Sequence, residues 1–256
     1  MARNSNFVWY ELMTSDIDAA AAFYSQIVGW TAADSGMPGM RYSIFSFGER
    51  MIAGLMETPA EAAAMGAKPC WMPYIWVEDV DVHAEKVKAA GGQVYRPASD
   101  IPGVGRMAVV ADPYGTVFNL FRPSSDAMPE PTAPGTPGLV EWHELHAGDG
   151  EGAWSFYSSL FGWEKERDMP MGEMGTYRIF KTTDRPVGGM MTKMPQSPVP
   201  FWLFYFAVQA IDAAKDRVTA AGGSILNGPM EVPGGSWIVQ CLDPQGAVFG
   251  LVAPQR

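Results

Sequence analysis

Histidine, cysteine and basic charge are all scarce in this chain. Its 256 residues include three His and two Cys, and 18 Lys and Arg stand against 28 Asp and Glu, a formal net charge of -10. That balance repels phosphate backbones and excludes nucleic acid as a partner class. Cys70 and Cys241 fall at non-equivalent places of the internal repeat set out below. No disulfide framework is therefore expected, and free thiols point to a reducing cytoplasm. The longest apolar run, Phe201 to Val208, suits a buried strand and is far too short to span a bilayer, so no membrane partner is expected. No apolar stretch follows Met1-Ala2-Arg3-Asn4-Ser5-Asn6, and no secretory leader is expected. Nothing resembles a Ser-His-Asp triad or a Cys-His pair. The glycine groups Pro102-Gly103-Val104-Gly105 and Pro233-Gly234-Gly235 lack the following helix a phosphate cradle needs.

What the chain has is repetition. Trp9, Glu11-Leu12, Asp16, Phe23-Tyr24-Ser25 and Gly29-Trp30 return 133 residues later as Trp142, Glu144-Leu145, Asp149, Phe156-Tyr157-Ser158 and Gly162-Trp163. A second set, offset by 131, pairs Trp71, Gly91-Gly92, Asp112-Pro113 and Gly115 with Trp202, Gly222-Gly223, Asp243-Pro244 and Gly246. Two copies of this length are not a solenoid but two similar globular domains. With 47% hydrophobic residues the chain can bury two cores. The stretch from Pro123 to Gly138 is rich in proline and small residues, which assigns residues 1–123 to a first domain, 124–138 to a linker and 139–256 to a second.

Within the first half, a strand over Phe7–Met13 leads to a helix capped by Asp16, with Ile17, Phe23 or Tyr24, and Ile27 inward and Gly29 as the stop. Strands follow at 41–47 and 51–57. The order then repeats: a strand at 72–77, a helix capped near Asp79, the Gly91-Gly92 stop, and strands near Val94, at 106–111 and at 116–121. Asp112-Pro113-Tyr114-Gly115 and Asp243-Pro244-Gln245-Gly246 read as hairpin turns.

A Phe-Tyr pair after a capping Asp, then Gly-Trp, then Asp-Pro-x-Gly before an apolar strand, in both halves, resembles the vicinal oxygen chelate superfamily. Glyoxalase I, bleomycin-resistance proteins and extradiol dioxygenases are members. The resemblance implies an α+β fold of two tandem glyoxalase-like domains, each a pair of βαβββ units forming a half-open barrel around a cleft. It also implies a divalent metal in that cleft, held by His, Gln or Glu from first strands and Glu from last strands. The corresponding positions here are Trp9 and Trp142, Asn119 and Gly250, and, by a less direct count, Gly54, Met72, Gly189 and Leu203. None is a His, Asp or Glu, so no metal or other cofactor is expected.

Other groups take the place of those ligands. His143 and His146 lie three apart on a strand and point to opposite faces, whereas His146, Glu144 and Trp142 share one. His83 sits in a charged helix and reads as a solvated surface residue. Glu11 and Glu144 share a face with Trp9 and Trp142, the face the family turns inward. A carboxylate there is either structural, bonded to amides or to an arginine such as Arg41 or Arg178, or a ligand anchor, or a general base. Gly54 and Gly189 leave room beside each indole, unless the indole itself fills it. Three functions follow. One is a metal-free protein binding a small apolar or aromatic molecule, as the bleomycin-resistance members do, through Trp9, Glu11, Gly54, Met72, Asn119, Trp142, Glu144, His146, Gly189 and Leu203. Another is a glyoxalase-like enzyme of lyase, isomerase or dioxygenase type, acting through Glu11 or Glu144 or an atypical metal site. The third is an interaction module with filled clefts. Four units in one chain leave monomer and homodimer both open.

Overall fold

The computed structural model describes residues 5–125 and 132–256; the centre of the expected linker lies outside them. The first half starts with β1 (Phe7–Thr14) and α1 (Ile17–Val28). The Asp16 carboxylate accepts from Ala19 N to start α1, and Gly29, at φ 86°, ends it. Then come β2 (Thr31–Asp34), β3 (Tyr42–Phe47), β4 (Arg50–Glu57) and a short α2 (Ala60–Ala64). The second unit holds β5 (Cys70–Trp76), α3 (Val80–Ala89, capped by Asp79), β6 (Gln93–Ile101), β7 (Gly105–Ala111) and β8 (Val117–Pro123). The second half repeats the plan with β9 (Val140–Ala147), α4 (Gly150–Phe161), β10 (Glu164–Pro170), β11 (Thr176–Lys181) and β12 (Pro186–Thr192). It closes with β13 (Phe201–Ala207), α5 (Ile211–Ala220), β14 (Ser224–Glu231), β15 (Trp237–Leu242) and β16 (Val248–Ala253). Among the described residues no helix is long and apolar enough to cross a membrane.

The chain therefore contains four βαβββ modules, two in each half. In each one the first strand runs parallel to the last, as β1 does to β4 and β9 to β12. The helix makes that crossover possible, since parallel neighbours need a long connection. The strands form two open eight-stranded sheets, ordered β2-β3-β4-β1-β5-β8-β7-β6 and β10-β11-β12-β9-β13-β16-β15-β14.

Neither of the two compact units follows a half of the sequence. Unit 1 takes the described residues of 1–8, 72–130 and 143–202; unit 2 takes those of 9–71, 131–142 and 203–256. Each unit thus joins one module from each half, and each is closed by the same device. In unit 1, Tyr157 on α4 donates its hydroxyl to Asp112 Oδ2 at 3.3 Å, while Asp112 Oδ1 accepts from the backbone N–H groups of Tyr114 and Thr116. In unit 2, Tyr24 on α1 donates to Asp243 Oδ2 at 3.1 Å, and Asp243 Oδ1 accepts from Gln245 and Ala247. Trp71 Nε1 donates to the Tyr24 hydroxyl at 2.9 Å. The Asp-Pro turns are therefore turns, and their carboxylates are also buried acceptors. Burial raises both carboxyls above the usual range, and the hydrogen bonds pull them partly back.

Aromatic rings fill the space around each device. In unit 1, Trp163 stacks on Phe180 (4.7 Å, 5°) and on Tyr157 (5.3 Å, 9°), and its Nε1 donates to the Ser5 carbonyl at 2.8 Å. In unit 2, Trp30 packs edge-on to Phe206 at 4.8 Å and donates to the Gly138 carbonyl at 2.7 Å. This bond pins the end of the expected linker. Such ring pairs contribute about 0.5–1.5 kcal/mol each beyond area burial.

Candidate functional site

The pleat of β1 turns Trp9, Glu11 and Met13 to one face, and the parallel register sets Glu11 opposite Gly54 and Met13 opposite Met56. The ring above Gly54 is that of Tyr42, from β3. A Cβ on Gly54 would stand 1.8 Å from the Tyr42 hydroxyl and 3.1 Å from Trp9 Nε1. Trp9 Nε1 donates to that hydroxyl at 3.1 Å. Burial, then the charge of the Glu11 carboxylate and its hydrogen bond, push the Tyr42 phenol well above its ordinary value. Cys70 is free and half-buried; burial, then the Glu11 charge, push its thiol up to about 11. All these residues belong to unit 2. A side chain at position 54 would thus have to displace a tyrosine ring.

Unit 1 holds the counterpart from the second half. The register of β9 with β12 sets Glu144 opposite Gly189 and His146 opposite Met191. A Cβ on Gly189 would stand 2.0 Å from Tyr177 Cζ. The Tyr177 hydroxyl donates to Glu144 Oε2 at 2.8 Å, and His146 Nε2 lies 2.7 Å from Glu144 Oε1. The imidazole stacks on Phe201 at 4.5 Å and 5°. His146 and Glu144 keep only 11% and 10% of their side chains exposed. A carboxylate so buried is costly unless its oxygens are satisfied, and here each oxygen has a donor. The structure thus brings Glu144, His146 and Gly189 together, with Tyr177 as the member that sequence reading missed.

The remaining expected positions are more dispersed. Met72 and Asn119 are buried in unit 1, where Asn119 Nδ2 donates to the Pro73 carbonyl at 3.4 Å and Asn119 pairs in register with Tyr74. Trp142 and Leu203 belong to unit 2, as does Gly250, where a Cβ would stand 2.4 Å from Tyr205 Cδ1. The Tyr205 hydroxyl accepts from Gln240 Nε2 at 2.7 Å. Of the expected positions, the three glycines 54, 189 and 250 each lie under a tyrosine. One signal was available: Tyr42 and Tyr177 occupy matching places in the two halves, each followed two and three residues later by Ile and Phe.

Two histidine expectations resolve differently. His143 is buried, its Nδ1 lies 2.7 Å from the Val187 carbonyl, and its ring stacks on Phe7 at 4.0 Å. Desolvation lowers its pKa to about 4. His83 is half-buried rather than fully solvated, with Nδ1 against the Asp79 carbonyl at 2.9 Å; burial lowers its pKa. Nor do the named arginines hold the strand-face carboxylates: Arg41 pairs with Asp18, and Arg178 forks onto Glu151 and Asp168.

Among the described residues no three His, Cys, Asp or Glu side chains converge as a metal-binding group. Tyrosine rings cover Gly54 and Gly189, and the donors nearest the family's ligand positions, Glu144 and His146, are bonded to each other. This donor set does not fit the open three-ligand site that a catalytic divalent cation requires.

Comparison with known proteins agrees with this architecture. The family model described as "Glyoxalase/Bleomycin resistance protein/Dioxygenase superfamily" matches residues 6–120 and again 140–251. The chain is 34% identical over 249 residues to CFP32 of Mycobacterium tuberculosis (strain CDC 1551 / Oshkosh), provisionally named a glyoxylase, covering 96% of this chain and 94% of that protein. It is also 34% identical over 257 residues to the anthracycline biosynthesis protein DnrV of Streptomyces peucetius, covering 95% and 91%. Among solved structures it is similar in fold to the Mn(II)-bound glyoxalase from Novosphingobium aromaticivorans, with TM-score 0.68, 17% identity and coverage of 98% and 82%. The 2,3-dioxygenase LapB from Pseudomonas sp. KL28 gives TM-score 0.68 at 12% identity, covering 98% and 93%. Two matches to one family model, on a chain of four βαβββ modules, make this protein a member of the glyoxalase/bleomycin resistance protein/dioxygenase superfamily.

Proposed function

We propose that this protein binds a small, flat aromatic molecule without a resident metal, in the manner of the family's bleomycin-resistance members. One observation carries the reading. In both halves a buried carboxylate, Glu11 or Glu144, meets a tyrosine hydroxyl beside a glycine and a methionine, with Trp9 on the first strand face and His146 on the second. Most ligand sites pair an apolar lining with a few fixed polar groups, and these faces have that composition. The polar groups orient the ligand, and the indole and thioether surfaces supply the contact area. The relative named for anthracycline biosynthesis makes a polycyclic aromatic compound the first class to test.

The test is a tryptophan-fluorescence titration with an anthraquinone, alongside elemental analysis of protein purified without a polyhistidine tag. Saturable quenching that weakens in Tyr177→Phe or Tyr42→Phe, with negligible bound metal, supports the reading. A stoichiometric, tightly held cation would overturn it, as would failure of every aromatic probe to quench. A second reading, a metal-independent enzyme, is favoured by the contact between Glu144 and His146, since an imidazole oriented by a carboxylate is the usual makeup of a general base.

A further inference from the structure

We propose that the second half carries a proton-accepting site for an acidic hydroxyl on the ligand, with His146 Nδ1 as the acceptor. This rests on the binding reading above. The Glu144 carboxylate is an acceptor only, so the nitrogen facing it at 2.7 Å, His146 Nε2, carries the hydrogen. Nδ1 is left with its lone pair. Among the described residues no hydrogen-bond partner stands against Nδ1. Phe201 covers one ring face and fixes the ring plane, and Tyr177 holds the far carboxylate oxygen, so neither His146 nor Glu144 is free to swing away. Of the titratable and charged groups nearby, β9 contributes Glu144 and β11 contributes Tyr177. β12 presents Met191 opposite, β13 presents Phe201, and Lys193 turns its ammonium to the Ser197 carbonyl.

The step balances simply. The ligand's O–H bond breaks, an N–H bond forms at Nδ1, and the ligand becomes an anion. The positive charge on the imidazole sits against the Glu144 carboxylate, and no electrons change hands. An acidic hydroxyl is the fitting substrate class, a phenol above all. A carbon acid would need an electrophile to stabilise its enolate, and the donor set offers no cation for that purpose. The first half lacks the device, because Met13 stands where His146 does, opposite Met56 as His146 stands opposite Met191. Two sequence copies of one site therefore differ in chemistry: both anchor a ligand, and one ionises it.

The probe is 2-hydroxyanthraquinone, buffered below the dye's own midpoint, with visible absorption and tryptophan quenching read together. The wild type is expected to bind the dye and show the phenolate band, while His146 Nδ1 moves to its protonated nitrogen shift. His146→Met, which installs the first half's residue, is expected to keep quenching but lose the second-half phenolate signal. Glu144→Gln is expected to lower it. Bound dye that stays neutral in the wild type, or a phenolate band that survives His146→Met, overturns this inference and leaves the binding reading standing. No quenching at all overturns both. Should His146→Met fail to fold, the wild-type spectrum and nitrogen shift still decide the question.

Discussion

The first strands of the two halves are the same strand solved twice, and among their differences one has Tyr10 and Met13 where the other has His143 and His146. Tyr10 packs edge-on to Phe204 at 5.1 Å, a neutral contact at every physiological pH. His143 fills its own place as a stacked, neutral ring whose pKa is lowered to about 4. The two halves share a carboxylate–tyrosine pair, and only the second has imidazoles on the same strand. The lesson is that sites equal in backbone register need not be equal in proton chemistry.

The comparison is best broken first through His143. Its folded pKa is depressed, so the stability it supports is complete above the unfolded value of 6.5 and declines as pH falls towards about 4. The full loss is about 3 kcal/mol, from about 1.4 kcal/mol per pKa unit. Urea unfolding from pH 7 to pH 4 is expected to show that decline, and His143→Tyr, the first half's residue, is expected to flatten it. An unchanged slope in His143→Tyr would show that the acid sensitivity lies elsewhere.

Glycine comes next. Gly189→Ala places a methyl group on the Tyr177 ring, and Gly54→Ala places one on Tyr42. Each is expected to cost about 1–3 kcal/mol through overpacking. The double variant Gly189→Ala/Tyr177→Ala should cost less than the sum of its parts, because both act on one contact. Gly188→Ala is expected to be worse than Gly189→Ala, since its methyl group would meet the His143 carbonyl at 2.2 Å, where backbone cannot yield. The equivalent position in the first half is Ala53, so Ala53→Gly serves as the control. Tyr177→Phe then removes a hydrogen bond to a carboxylate, at a cost of about 1.5–3 kcal/mol by chemical unfolding. The smallest effect belongs to the surface. Asp81 pairs with Arg106, and its counterpart Asp212 pairs with Arg256, whose guanidinium lies 4.9 Å from the Trp237 ring centroid. Losing the half-buried Arg106, whose partner Asp81 is exposed, is expected to leave the melting temperature almost unchanged at high salt.

Much of this molecule was legible in one sequence because it is written locally and twice. Asp16, Asp79 and Asp149 cap helices by contacts within three residues, and Gly29 and Gly162 stop them by backbone conformation alone. The βαβββ pattern implies strand β2 but its residues could not be placed, because all four of Thr31–Asp34 are exposed and so show no alternation. The tyrosines over Gly54 and Gly189 were missed because the pairing runs across strands, where strand period carries no signal and only their matching places in the two halves mark them. Glu144 and His146 share a face by parity, which sequence reveals; that Tyr177 closes the other carboxylate oxygen, only the fold reveals.

The Tyr–Asp bonds that close the two units also set a timetable for synthesis. Tyr24 and Asp243 are 219 residues apart, whereas Tyr157 and Asp112 are 45 apart. A chain leaving the ribosome from its N-terminus has every residue of unit 1 available once Trp202 has emerged, while unit 2 still waits for its last module. Until then Tyr24, Trp30 and Trp71 have one another and Phe45, but lack Phe206, Phe249 and Asp243 from the last module. The module of residues 9–71 is thus among the last to gain its full set of partners, and this is the stretch a chaperone would have most reason to hold.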